Sequence, residues 1–153
     1  MPRAWRIVKS SRAATAFDGE GGRLHGGRWN SPGTAMIYTA SSQSLAALEV
    51  LVHLQDSRLL QQSYSAIAID FDDKHVEVLA LESLPKSWRQ SPSPNALLAI
   101  GDRWSREGRS PALQVPSAII PDEPIYLLNP QHPAFPKLRT GKPKPFDFDP
   151  RLK

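Results

Sequence analysis

Apolar and polar positions fall into a readable order along the first part of the chain. Trp5-Arg6-Ile7-Val8 has the bulky, β-branched character of a short strand. Residues 18–33 lose that pattern in Gly, Arg and Asp, so a loop or a loosely paired hairpin is expected there. Residues 35–39, Ala-Met-Ile-Tyr-Thr, alternate like a half-buried strand, and Ser41 or Ser42 can then cap a helix running from about 43 to 55. Two further β-rich runs, 64–71 and 76–81, are joined by the turn-like Asp72-Asp73-Lys74, which predicts a hairpin. Pro92 and Pro94 introduce a second helix over 95–107, and Gly108 ends it. The apolar runs 113–120 and 125–128 read as strands whose edges or irregular ends lie at Pro116 and Pro121.

Composition sharpens this picture at a few points. Thirteen of the fifteen prolines fall from Pro85 onward, so regular structure is expected mainly in the early part of the chain. Short strands alternating with two modest helices predict an α+β fold of mostly antiparallel strands rather than a doubly wound parallel sheet. A length of 153 residues suits one domain with a proper core. From Asn129 onward the Pro/Lys/Phe/Asp mixture has no period, and it is expected to wrap the surface or stay mobile. Cysteine is absent, which excludes disulfides, thiolate metal sites and thiol nucleophiles. No apolar h-region follows Met1-Pro2-Arg3-Ala4-Trp5-Arg6 and no stretch could span a bilayer, so a soluble, cytoplasmic protein is expected. The net charge of +4 permits an anionic partner without demanding nucleic acid.

Two places stand out chemically. Between Gly19 and Asn30 lie five glycines and two arginines, Arg23 and Arg28. Glycine lets backbone amides approach an anion closely, and arginine offers a planar donor fork suited to phosphate. Gly22-x-x-x-x-Gly27 continues with Arg28-Trp29 instead of Lys-Ser/Thr, so it is not a Walker loop. A flexible hairpin tip is the plainer reading, but Arg28-Trp29-Asn30 forms a bulky polar cluster where the loop re-enters structure. The second place is Glu49, in a helix apolar on almost every side, where burial is expected to hold the carboxylate away from water. A structural pairing with His53 or an arginine competes with a catalytic role. Tyr38 ends the strand that feeds this helix, and Ser117 is an isolated hydroxyl inside an apolar run. Both have ordinary structural readings as well. Glu49 and His53, with His25, His75 or His132, lack the H-E-x-x-H spacing, so no metal site is expected. No G-x-S-x-G elbow points to a serine hydrolase.

Taken in order, Trp5-Arg6-Ile7, Gly26-Gly27-Arg28-Trp29-Asn30, Ile37-Tyr38-Thr39-Ala40, the 45–53 segment Leu-Ala-Ala-Leu-Glu-Val-Leu-Val-His, Val115-Pro116-Ser117-Ala118-Ile119-Ile120-Pro121 and Leu128-Asn129-Pro130-x-His132-Pro133 resemble the RES-domain toxins. The resemblance implies a fold similar to that of ADP-ribosyltransferases, with a catalytic domain over 1–136 and a Pro/Lys-rich tail over 137–153 that packs on the surface or is mobile. It also implies a bacterial toxin that consumes NAD+ by hydrolysis or phosphorolysis, or transfers ADP-ribose to a protein. NAD+ is then a substrate, inorganic phosphate a conceivable co-substrate, and no resident cofactor is expected. The implied partner is an Xre-type helix-turn-helix antitoxin that covers the cleft around Arg28 and Glu49, with a homo-oligomer left open and no membrane or direct nucleic-acid contact.

By position, Arg6 and Arg28 match the family's two early arginines, Tyr38 its strand tyrosine, Glu49 its helix glutamate and Ser117 its late serine. Glu49, Arg28, Tyr38 and Ser117 are the implied catalytic residues. Arg6, Arg28, Tyr38, Asn30 and Ser117 are the implied substrate-binding ones, with a glycine-rich loop free to close over the dinucleotide. Ile125 stands where relatives often carry asparagine. Cleavage of the nicotinamide–ribose bond builds positive charge on the ribose, which a nearby carboxylate stabilises. The residues also leave open an endoribonuclease toxin, favoured by the basic pI, Arg28, Glu49 and His53, and a non-enzymatic binding module built on the glycine loop.

Overall fold

Strand β1 (Arg3–Lys9) lies inside the sheet and is buried on both faces, Ala4 in one core layer and Ile7 in the other. The computed structural model describes residues 2–152. Around β1 are strands β2 (Ile37–Ala40), β3 (Tyr64–Asp70), β4 (Val76–Val78), β5 (Ala112–Pro116), β6 (Pro124–Leu128), β7 (Arg139–Thr140) and β8 (Lys144–Phe146). Together they form one sheet in the order β4-β5-β6-β2-β1-β3-β7, with β8 also paired to β3. Every pairing is antiparallel except β4 with β5. Helices α2 (Gln43–His53) and α3 (Asn95–Glu107) supply Leu45, Ala46, Leu97 and Trp104 to the core layer on one face. Ile37, Ile69, Phe71, Leu128 and Leu138 fill the other. The α+β architecture of mostly antiparallel strands is as expected.

Local signals were strongest where capping chemistry agreed with the apolar pattern. Ser42 is extended and its Oγ accepts the Leu45 N–H at 3.1 Å, which starts α2. Gly108 adopts a left-handed φ of 61° and closes α3, whose bounds match the expectation. The strand expected over 113–120 stops at Pro116, because Ser117 turns the chain back toward β6.

Three expectations change. Residues 71–76 do not form a hairpin. The Asp72 side chain accepts the Lys74 N–H, a 3-10 turn follows, and β4 crosses to the far edge, where it runs parallel to β5 with α3 between them in sequence. The glycine-rich stretch contains a short helix, α1 (Glu20–His25), and only one isolated bridge, Gly27 to Asn30. The segment from 137 onward does more than lie over the surface. β7 and β8 cover the free edge of β3, Leu138 and Phe148 are buried, and Phe148 packs edge-on against Tyr64 with ring centroids 5.0 Å apart.

Candidate active site

A cleft of about 660 Å³ opens beside β1, β2 and α2. Trp5, Arg6, Tyr38, Glu49, His53 and Ile125 are among its lining residues, and Lys9 and Arg12 also line it. The volume is within the range of about 300–1,000 Å³ common for small-molecule sites. Ile125 therefore contributes an apolar wall from β6.

Glu49 stands on the inner side of α2, half-buried rather than enclosed. Leu45, Ala46 and Ala47 are buried, whereas Leu48 and Val52 are exposed on the outer side, so the helix is not buried all round. Burial still pushes the Glu49 carboxyl above its ordinary range, and a Ser117 hydrogen bond and the Arg28 charge pull it back down. Ser117 Oγ donates to Glu49 Oε1 at 3.4 Å, a long bond. The same oxygen accepts the amides of Ile119 at 3.0 Å and Ile120 at 3.1 Å, so the hydroxyl is fixed by its own turn while its proton points at the carboxylate. The Ser117 side chain is fully buried.

Arg6 reaches across the base of the cleft. Its Nε donates to the Ala16 carbonyl at 2.7 Å and its Nη1 to the Tyr38 carbonyl at 3.1 Å, which uses two of the five donors of a guanidinium. Burial lowers its pKa, opposed by the charge of Asp18, yet an arginine remains a cation at working pH. Tyr38 is among the residues lining the cleft and hides its hydroxyl. That hydroxyl donates to Asn30 Oδ1 at 2.6 Å and accepts the Trp29 N–H at 2.9 Å. Burial pushes its phenol far above the usual tyrosine range.

Asn30 lies behind Tyr38, 1% exposed, and is not among the cleft residues. Its amide nitrogen donates to the carbonyls of Gly22 (2.9 Å), Thr34 (3.0 Å) and Ser31 (3.2 Å), so its polar atoms pin the loop. The glycines serve close packing more than mobility. A Cβ on Gly27 would sit 2.5 Å from the Tyr38 hydroxyl, and one on Gly22 would run into the Met36 carbonyl. A freely closing lid is therefore replaced by a stretch tied to β2.

Arg28 lies outside the cleft lining but near enough for its charge to favour the Glu49 carboxylate. Its Nη1 donates to the carbonyls of Gln90 (2.8 Å) and Trp88 (3.2 Å). The fold thus brings Arg6, Tyr38 and Glu49 to one cleft, sets the Ser117 hydroxyl against Glu49 and leaves Arg28 outside the lining, where only its charge acts on the carboxylate. Sequence reasoning did not find Lys9 and Arg12 at the cleft, nor the part played by residues 88–93. Periodicity carries no signal for exposed cations or for an irregular Pro/Ser segment. Among the described residues no group of three His, Asp or Glu is placed to hold a metal ion, and no helix is long and apolar enough to cross a membrane.

The model of the RES domain family matches residues 3–149. The chain belongs to the RES domain family. That match runs through β8 and Phe148, so the strands after residue 136 are part of the matched domain. Among its relatives, "Toxin Res" of Yersinia enterocolitica serotype O:8 is 42% identical over 150 residues, covering 97% of this chain and 98% of that one. "Prs ADP-ribosylating toxin" of Sphingobium sp. strain YBL2 is 36% identical over 153 residues, covering 97% and 94%. In fold the chain is similar to a chain of the M. tuberculosis MbcT–MbcA toxin–antitoxin complex, with a TM-score of 0.78 at 21% identity over 95% of this chain and 84% of the other. This RES-family protein is a toxin.

Proposed function

We propose that this RES toxin consumes NAD+ by breaking its nicotinamide–ribose bond in the cleft beside Glu49. One observation carries the reading. A half-buried carboxylate, steadied by Ser117 and Arg28, shares a cleft of about 660 Å³ with an arginine whose donors are only partly used and an aromatic ring whose polar end is turned away. In the reaction the C1′–N bond breaks with its electron pair going to the pyridinium nitrogen, so nicotinamide leaves neutral and needs no general acid. Positive charge grows on the ribose ring, and ionised Glu49 stabilises it while holding a ribose hydroxyl. The guanidinium of Arg6 takes the diphosphate, and Tyr38 offers its ring to the nicotinamide. Arg28 and Ser117 keep Glu49 ionised against the pull of burial.

The acceptor at C1′ is water, phosphate or a protein nucleophile. The Sphingobium relative is named an ADP-ribosylating toxin, which favours including a protein acceptor among the assays. The M. tuberculosis fold neighbour is part of a toxin–antitoxin complex. By analogy we expect an antitoxin of the Xre type to cover the cleft here, with the toxin acting in the cytoplasm. Purified protein incubated with NAD+ is expected to release nicotinamide, together with ADP-ribose, its phosphate ester or ADP-ribosylated protein. Intact NAD+ after hours with folded protein would overturn the reading, and RNA cleavage with NAD+ untouched would favour an endoribonuclease instead.

A further inference from the structure

The segment over residues 88–93 holds Arg28 and the turn that follows Ser117, the two groups that bear on Glu49, although it contributes nothing to the cleft lining. On one side it takes hold of Arg28. The carbonyls of Trp88 and Gln90 accept from Arg28 Nη1, and Ser93 Oγ donates to the Arg28 carbonyl at 2.6 Å. On the other side it takes hold of the turn after β5. Arg89 Nε donates to the Ala118 carbonyl at 2.9 Å, and its Nη2 reaches the Ile119 carbonyl at 3.5 Å. Ser117, one residue before that pair, faces Glu49 and is oriented by the amides of Ile119 and Ile120. Arg89 is solvent-exposed, so its side chain does no core packing. An exposed arginine that spends its donors on the carbonyls of a neighbouring turn is placed to fix that turn.

We propose that Arg89 is a positioning residue for the reaction, its guanidinium fork locking the 117–120 turn so that the Ser117 hydroxyl stays aimed at the Glu49 carboxylate. The inference rests on the reading that Glu49 carries the chemistry. Without the fork the turn relaxes, the already long Ser117 bond is lost first, and burial acts on Glu49 with less opposition. The carboxylate then takes up a proton at a higher pH, so the acid limb of the pH–rate profile moves to more alkaline pH and the rate at neutral pH falls. The effect works on the charge of Glu49 and not on substrate contact, so it appears in kcat more than in KM.

The test compares NAD+ loss by wild type, Arg89→Ala, Arg89→Lys, Ser117→Ala and the Arg89→Ala/Ser117→Ala pair, with Glu49→Gln as reference. Arg89→Ala is expected to lower kcat by about threefold to tenfold, the scale of one net hydrogen bond, and to shift the acid limb upward. Arg89→Lys keeps the charge but loses the fork, so it should behave like the alanine variant. It also serves as the working variant if the alanine protein fails to fold. The pair should be no slower than Ser117→Ala alone, because both changes break one chain of contacts. A wild-type pH profile in both Arg89 variants, wild-type behaviour of Arg89→Lys, or full multiplicativity in the pair would each overturn the role given to Arg89. If Glu49→Gln itself kept wild-type activity, the assignment of Glu49 would fail instead, so the two failures are told apart.

Discussion

Replacing Glu49 with glutamine should move activity and stability in opposite directions. The substitution keeps the shape of the side chain and removes its charge. Losing one positioned group that stabilises transition-state charge costs about 2.7–4 kcal/mol of barrier, or roughly 10²- to 10³-fold in NAD+ loss. The 3.4 Å bond from Ser117 is long, so glutamine gives up little binding in the ground state. Stability follows from the direction of the pKa shift. Burial holds the folded carboxyl above its ordinary value of 4.5, so the stability that its neutral form brings is complete below about that pH and is lost as pH rises through the folded pKa. At neutral pH the wild type therefore carries an ionised group that the fold disfavours, and glutamine does not. Thermal melts of the two proteins at pH 4 and pH 7.5 should show Glu49→Gln relatively more stable at the higher pH and the gap closing in acid. Steady-state nicotinamide release supplies the activity arm. A variant that keeps NAD+ loss within a few-fold of wild type, or one destabilised equally at both pH values, would refute the reasoning.

The same shift predicts that NAD+ loss by wild type falls on the acid side with an apparent pKa above 4.5, measured with a fold-independent pH series. Tyr38→Phe keeps the ring and strips both partners from its hydroxyl, leaving the Trp29 amide and Asn30 Oδ1 unpaired. It should destabilise by about 1–3 kcal/mol for each group stranded, read by urea unfolding. Gly101 of α3 packs against the backbone of Trp29, where a Cβ would collide with the Trp29 carbonyl, so Gly101→Ala should sharply lower soluble yield or Tm. Phe148→Ala should cost about 3 kcal/mol or more, because it opens the packing over Tyr64 on the edge of β3, and a melt with wild-type Tm would refute that role for the C-terminal segment.

What the sequence made legible was local. Ser42 before an apolar run marked the start of α2, and Pro94 with Gly108 bracketed α3, because capping and turn chemistry act over a few residues. Partner choice between strands was hidden. Asp72-Asp73-Lys74 has the composition of a hairpin turn but makes a 3-10 corner, and β4 finds its partner only after α3 has crossed the sheet face. Glu49 stood out as a charge in an apolar helix, although Leu48 and Val52 turned out to face solvent, since periodicity cannot tell an outward apolar residue from an inward one. The role of Arg28 depended on contacts across the chain, and that of Asn30 on backbone contacts that no periodicity marks. The amide of Asn30 is used up within its own loop, and Arg28 is held by carbonyls about sixty positions away. Arg89 has no pattern around it that sequence reasoning could use. Its importance lies in carbonyls about thirty residues downstream.

A crystal structure of the Glu49→Gln protein soaked with NAD+ addresses the shared cleft most directly. The nicotinamide ribose is expected against residue 49 and the diphosphate on Arg6, with the nicotinamide ring along Tyr38. Dinucleotide bound away from α2, or density that leaves residue 49 and Arg6 untouched at saturating NAD+, would contradict the assignment of this cleft.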